Sequence, residues 1–323
     1  MTTPETALES GLLSLTADGP RVVAIGGGHG LAQALEAALS YASHVTAVVT
    51  VGDDGGSSGR LTSTLEIPPP GDIRKCLLAL SPEPTVFREL FGYRFDSTDV
   101  AGHSLGNLML AALTELMGDD FEAAVRVASG MLGTVGQVVP VARKSLHLQA
   151  VVDGVLVDGQ AAITRSRGTL TELRLVPPDE PANPRALEAV LSADQILIGP
   201  GSLFTSIIAA LVVPGMAESL QAAPGHVVFI ANLVTQDGET LGMTCGDHLD
   251  ALRRVGGVDI TGTIVAHRGD IRMEGLVEQI RADKAEMATM GWDVVEADLV
   301  DIQADWPQHD PIRLGQALAQ LKN

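Results

Sequence analysis

Arg21-Val-Val-Ala-Ile25 runs directly into Gly26-Gly-Gly-His-Gly30, and an amphipathic stretch begins near Leu31. Four consecutive apolar residues read as a strand buried on both faces. Leu31, Leu35, Ala38 and Leu39 fall on one face of the helix predicted next. Val45 to Val51 is a second buried strand. Strand, glycine loop, helix and strand make a βαβ unit with a parallel pair and a right-handed crossover.

The same alternation returns later. Strands are expected at Gln195 to Ile198, Val227 to Ile230, Gly262 to Ala266 and Trp292 to Val295. Helices are expected at 204–211, 247–255 and 311–321. The region between carries helices at 72–80, 105–117 and 121–128, the second apolar nearly all round and so expected to be buried. From Val138 to Val176 short alternating segments, broken by Asp153-Gly154 and Asp158-Gly159, predict an antiparallel meander. The fold class is therefore α/β with a mainly parallel central sheet and an inserted antiparallel β meander. Residues 1–19 are expected to be a flexible tail and 20–323 a single domain, with 138–176 as the insertion.

Composition narrows the function. Among 323 residues, 21 Lys and Arg stand against 40 Asp and Glu, a formal charge of -19. Such a chain repels nucleic acid and anionic lipid, so neither is expected as a partner. An anionic ligand must be held by local N–H groups, a few arginines or a metal. No apolar run reaches the roughly 18 residues of a membrane span. Cys76 and Cys245 lie far apart, outside any metal or disulfide pattern, as in a reducing cytoplasm. Met1 to Pro20 lacks the basic start of a signal peptide.

Several loops carry candidate chemistry. Gly26, Gly27, Gly28, His29 and Gly30 join a strand to a helix, where N–H groups and the helix dipole favour phosphate. A tight turn needs the same glycines. Leu31 stands where the dinucleotide fingerprint has its third glycine, which counts against an NAD-type oxidoreductase. Asp53, Asp54, Gly55, Gly56, Ser57 and Ser58 follow the second strand. Carboxylates there can accept from ribose hydroxyls or hold Mg2+ against phosphate oxygens. Asp72 suits a helix N-cap. Arg74, in the first turn, opposes the dipole and suggests an anionic partner. His103 and Asn107 precede and open the next helix. Gly199, Gly201, Ser202 and Thr205 repeat the glycine-loop logic after a later strand, with Ser202 alternatively a plain N-cap. Asn232 and Thr235 follow the next strand and can face the same crevice. His309-Asp-Pro311 reads as an N-cap with proline at the first helical position. No zinc signature or nucleophile elbow is present.

Together, Ile25-Gly-Gly-Gly-His-Gly-Leu31, Val48-Val-Thr-Val-Gly-Asp-Asp-Gly-Gly-Ser-Ser-Gly-Arg60, Pro69-Pro-Gly-Asp-Ile-Arg74 and Gly102-His-Ser-Leu-Gly-Asn-Leu108 form an ordered set. Gly199-Pro-Gly-Ser-Leu-Phe-Thr-Ser206, Asn232-Leu-Val-Thr-Gln-Asp-Gly-Glu-Thr240 and His309-Asp-Pro311 complete it. The set resembles the YvcK-type gluconeogenesis factor family, related to the CofD-type 2-phospho-L-lactate transferases. The resemblance implies a bacterial, cytoplasmic protein with a Rossmann-like three-layer α/β/α fold. It implies binding of UDP-sugars, notably UDP-N-acetylglucosamine. It also implies regulation of gluconeogenic growth, cell-wall synthesis and cell shape, without established catalysis. A protein partner that reads the ligand-bound state and a homo-oligomeric assembly are expected. The transferase branch implies the alternative, a Mg2+-dependent enzyme with the metal on Asp53 and Asp54. Two positions associated with UDP-sugar contact depart from the family pattern. Met243 stands where many members have an aromatic residue, and Gln308 where many have arginine.

Overall fold

The computed structural model describes residues 15–321 other than 53, 54, 56–58, 60, 63, 64, 66, 83, 84, 98, 273 and 274. Among the described residues ten strands form two sheets. The strands are β1 (Arg21–Gly26), β2 (His44–Val49), β3 (Gln137–Pro140), β4 (His147–Val152) and β5 (Val155–Asp158). β6 (Leu170–Val176), β7 (Gln195–Ile198), β8 (His226–Ile230), β9 (Gly262–His267) and β10 (Trp292–Ala297) follow. The main sheet has the order β10-β9-β8-β7-β1-β2-β3 and is parallel throughout. The small sheet, β5-β4-β6, is antiparallel.

Side chains alternate across the main sheet as a pleat requires. Val22 and Ala24 of β1 face a core with Leu31, Leu35, Ile73, Leu77, Phe121 and Leu314, on helices Gly28–Leu39, Pro70–Ala79, Phe121–Leu132 and Pro311–Ala319. Val23 and Ile25 face the opposite core, with Val190, Ile207, Leu220 and Leu252 from the later helices and Leu148 and Leu173 from the small sheet. The result is the expected three-layer α/β/α architecture.

The sheet order fixes where a ligand can enter. From β1 the chain steps outward through β2 to β3, then returns to β7 on the other flank of β1 and steps outward to β10. The order reverses only between β1 and β7, which is where open α/β sheets form a crevice at their carboxyl ends. Ile25 pairs with Ile198, so the loops after β1 and β7 leave the sheet side by side.

Four expectations need correction. Val138–Pro140 belongs to the edge strand of the parallel sheet, and the antiparallel sheet starts only at His147. Residues 15–19 are not loose: Thr16 N–H donates to the Ala42 carbonyl at 2.7 Å, and residue 19 turns tightly against Tyr41. The tail before residue 15 lies outside the described residues. Helix Leu105–Leu116 is buried on one face only, with Leu116 74% exposed. The segment from Leu203 begins as a π-helical turn, Leu203–Ile208, before Ala209–Leu211. Among the described residues no single helix is long and apolar enough to cross a membrane.

Candidate functional site

The two glycine loops meet at the switch point because neither carries a Cβ there. A Cβ on Gly30 would lie 2.4 Å from the Pro200 carbonyl oxygen, and one on Gly201 would lie 3.3 Å from that of Gly27. Gly28 has φ +73° and Gly199 φ +77°, left-handed backbone that favours glycine. The first helix begins at Gly28 rather than near Leu31, so His29 and Gly30 lie in its opening turn. Gly27 caps it without a side chain. Among the described residues no protein group accepts from the N–H of Gly28, His29 or Gly30 outside the helix.

The second loop is served differently. Asn232 holds the Gly201 peptide from both sides: Gly201 N–H donates to Oδ1 at 2.9 Å, and Nδ2 donates to the Gly201 carbonyl at 2.7 Å. Asn232 therefore shapes the loop and occupies an N–H expected for phosphate. Ser202 makes no capping bond; its hydroxyl accepts from Gln236 Nε2 at 3.3 Å. The Glu239 carboxyl group closes this helix start: it accepts from the Thr205 hydroxyl at 2.5 Å, and the backbone N–H groups of Phe204, Thr205 and Leu203 lie near enough to favour its charged form. Thr205 is thus buried against an internal acid. Burial raises the Glu239 pKa, and the Thr205 hydroxyl and the nearby backbone N–H groups oppose the rise. The residue as a whole is half-buried, but Oε2 is enclosed and lacks a partner.

On the β2 flank, Asp72 is the third residue of its helix and Pro69 the cap, so Asp72 is not the N-cap. It is buried, pairs with Lys75 at 2.8 Å, and its Oδ2 sits where a Cβ on Gly27 would reach. Arg74 is also buried and donates from Nε to Asn107 Oδ1 at 3.0 Å. Burial, then the charge of Arg94, lowers the Arg74 pKa against the pull of Asp72. Arg74 is the fifth residue of its helix, beyond the first turn where it was expected, and a buried guanidinium is costly without an anion nearby. Burial and Lys75 push His29 below the usual imidazole range, Asp72 opposes them, and Arg74 adds to the lowering. His103 lies one residue before the Ser104 cap, whose side chain accepts from Asn107 N–H at 3.3 Å. Gly55 is described; Asp53, Asp54, Gly56, Ser57 and Ser58 lie outside the described residues. Val51 and Gly52 deliver that loop at the carboxyl end of β2.

On the β8 flank a cleft of about 580 Å³ opens between His29, Gly201, Gln236, Trp306 and Gln308. Gln308 accepts from Gln33 Nε2 at 3.0 Å. Thr235 is buried, and its hydroxyl accepts from Glu278 N–H at 2.9 Å, stapling the wall of the cleft. His309 is enclosed. Burial drives its pKa down to about 4 against its hydrogen bond to the Ala231 backbone, and Nε2 lacks a partner. Asp310 caps the final helix, as expected. Met243 is elsewhere. It lines a second cavity of about 770 Å³ with Thr169, Phe204, Glu239 and Arg254, between the small sheet and helix Cys245–Arg254. The segment Gln236–Glu239 divides the two cavities.

Sequence reasoning missed Gln236, Glu239, Trp306 and the buried state of His309. Only tertiary packing brings them to the switch point, so local patterns do not mark them. Among the described residues no group of three or more His, Cys, Asp or Glu is arranged for a metal.

The family described as 2-phospho-L-lactate transferase CofD matches residues 22–300. A gluconeogenesis factor of Bacillus subtilis is 39% identical over 312 residues, covering 94% of this chain and 98% of that protein. A putative gluconeogenesis factor of Mycobacterium tuberculosis is 38% identical over 310 residues, covering 92% and 89%. A crystal structure of a Bacillus halodurans protein superposes with a TM-score of 0.87 at 36% identity, covering 93% of this chain and 99% of that one. The chain belongs to the CofD family, in the branch of the gluconeogenesis factors.

Proposed function

We propose that the protein is a cytoplasmic sensor of nucleotide sugars, with UDP-N-acetylglucosamine as its ligand. In that reading it couples gluconeogenic growth to cell-wall synthesis and cell shape. The observation that carries the proposal is the open amino end of helix Gly28–Leu39 at the sheet's switch point. Unserved N–H groups and the positive helix end favour a diphosphate there. Lys75 and Arg74 lie close enough to depress the His29 pKa, and they supply positive field in an otherwise acidic protein. The cleft beside the loop supplies amide groups suited to sugar and base hydroxyl and N–H partners. The names of the relatives support the link to gluconeogenesis. A ligand that binds one conformation better than another shifts the population, and a protein partner or a second copy of the chain reads that shift.

Calorimetric titration of UDP-N-acetylglucosamine, with and without Mg2+, tests the proposal. Binding without metal, with the ligand recovered intact, is the expected result. Uptake only with Mg2+, or continuing heat as ligand is consumed, favours the transferase with Asp53 and Asp54 on the metal. Absence of binding to any UDP compound removes the nucleotide-sugar reading.

A further inference from the structure

Trp306 has no assigned role, yet it stands at the mouth of the switch-point cleft with 57% of its surface exposed. The chain has only two tryptophans, and the other, Trp292, is buried at 4% exposure. Among the described residues the other markedly exposed aromatic is Tyr93, whose ring packs edge-on against Phe95 at 5.2 Å. Leaving a large indole half in water forgoes apolar burial.

The loop that carries Trp306 is braced at its base. Asp301 N–H donates to the Gln308 carbonyl at 2.9 Å, Val300 bridges His309, and the Asp301 carboxylate accepts from Gln303 N–H at 2.9 Å. His309 is buried directly after the loop, and Asp310 caps the next helix. A ring on a fixed stem loses little further freedom when a flat partner docks on it.

The chemistry of the cleft is polarised. Its phosphate-favouring end is the helix start at His29 and Gly30. Around Trp306 the lining contains, among the described residues, no Lys or Arg; its one carboxylate, Asp237, is paired with Arg167, and it presents the amides of Gln33, Gln236 and Gln308. Neutral donors and acceptors beside an exposed aromatic face suit an uncharged planar heterocycle with polar edges. Resting on the nucleotide-sugar reading of this site, we infer that Trp306 stacks on the nucleobase of the ligand. The base lies toward the Asp301–Gln308 loop and the diphosphate toward Gly28–Gly30. Met243, where an aromatic contact was expected, lies across the Gln236–Glu239 segment in the other cavity and does not serve the base.

The test uses the full chain and four probes: UDP, UMP, inorganic pyrophosphate and N-acetylglucosamine 1-phosphate. In a Trp292→Phe background Trp306 is the sole indole, so emission and acrylamide quenching report on it alone. UDP and UMP are expected to change its emission and shield it from acrylamide, and pyrophosphate to bind without either effect. Calorimetry on Trp306→Ala, otherwise wild type, is expected to show UDP weakened roughly tenfold, pyrophosphate unchanged, and most of the loss recovered by Trp306→Phe. Wild-type UDP affinity in Trp306→Ala, or unaltered quenching at saturating UDP, overturns the stacking role and leaves the site intact. A signal moved by N-acetylglucosamine 1-phosphate but not by UMP also overturns it, because the ring would then serve the sugar. If neither UDP nor pyrophosphate binds the wild-type protein, the reading of the cleft itself has failed and the inference falls with it.

Discussion

Two helices start side by side at the switch point, and their amino ends are served in opposite ways. The helix after β7 has the Glu239 carboxyl group set against its first turn and bonded to the Thr205 hydroxyl, and its loop peptide is held by Asn232. The helix after β1 has a glycine cap and no internal acceptor for its first N–H groups among the described residues. The same loop type therefore does two jobs. One end is structural and completed by the protein's own carboxyl group. The other is left for an anion from outside. A glycine-rich strand-to-helix turn is thus a ligand site only when nothing in the fold already fills it.

Removing the internal carboxyl group should give the largest effect. Glu239→Ala strips the acceptor from the buried Thr205 hydroxyl, removes the carboxyl group facing the helix start and leaves a cavity, and should cost about 2–3 kcal/mol in denaturant unfolding. Glu239→Gln keeps an acceptor and should cost less. The pH dependence has a definite sign. Because burial raises the folded pKa above the ordinary 4.5, the glutamate's contribution is full below that value and declines as pH rises through the folded pKa. Glu239→Gln should therefore lose least, relative to wild type, at the upper end of that window. A larger loss for the glutamine variant at high pH than at low pH contradicts this assignment.

His309 gives the opposite slope. Its folded pKa of about 4 lies below the ordinary 6.5, so its contribution is complete above 6.5 and is lost as pH falls toward 4. The full span is worth at most ~3 kcal/mol. Wild-type melting temperature should fall through that window, and His309→Gln should flatten the fall. An equally steep fall in the variant would mean that other groups dominate acid unfolding.

The contact between the loops can be broken directly. Gly30→Ala places a Cβ against the Pro200 carbonyl, a backbone atom that cannot swing away. It should destabilise by about 1–3 kcal/mol. It should also abolish UDP-N-acetylglucosamine binding, because it displaces the open helix end. Gly28→Ala meets nothing within 4 Å but must adopt φ +73°. It should cost ~1 kcal/mol through backbone strain alone. Equal behaviour of the two variants would argue against close contact between the loops.

Much of this site was legible in the sequence because its strands are short, continuous apolar runs that end on glycine. β7 was read to the residue, and the loops after β1 and β7 fell where the switch-point rule needs them. The partners of those loops were not legible. Glu239 lies 34 residues from Thr205, and no periodicity links them. Asp72 looked like a cap because Asp commonly is one, but Pro69 already supplies the extended backbone and Asp72 turns to Lys75 and Gly27. β3 was merged with the meander because four residues carry too little pattern to show on which sheet they lie. Resemblance to the family placed Met243 among the UDP-sugar contacts, but the path of residues 236–239 sets it in the other cavity.

That dividing segment supports the smallest effect. Asp237 makes a bidentate ion pair with Arg167, Nε–Oδ1 at 2.8 Å and Nη2–Oδ2 at 2.7 Å, which joins the segment to the meander region. Its geometry is good, and each partner shifts the other's pKa toward the charged form. Both groups stand in water, however, where screening and side-chain entropy cancel most of the attraction. Neighbouring contacts already fix the segment: a Cβ on Gly238 would lie 2.0 Å from the Thr164 carbonyl, and Glu239 is anchored at the helix start. Arg167→Ala should therefore leave the melting temperature unchanged within error at physiological salt, and ligand affinity in the switch-point cleft should not move. A clear drop in either quantity would show that backbone packing at Gly238 is insufficient. The wall between the cavities would then depend on a surface charge pair, and occupancy of one cavity would be sensitive to salt at the other.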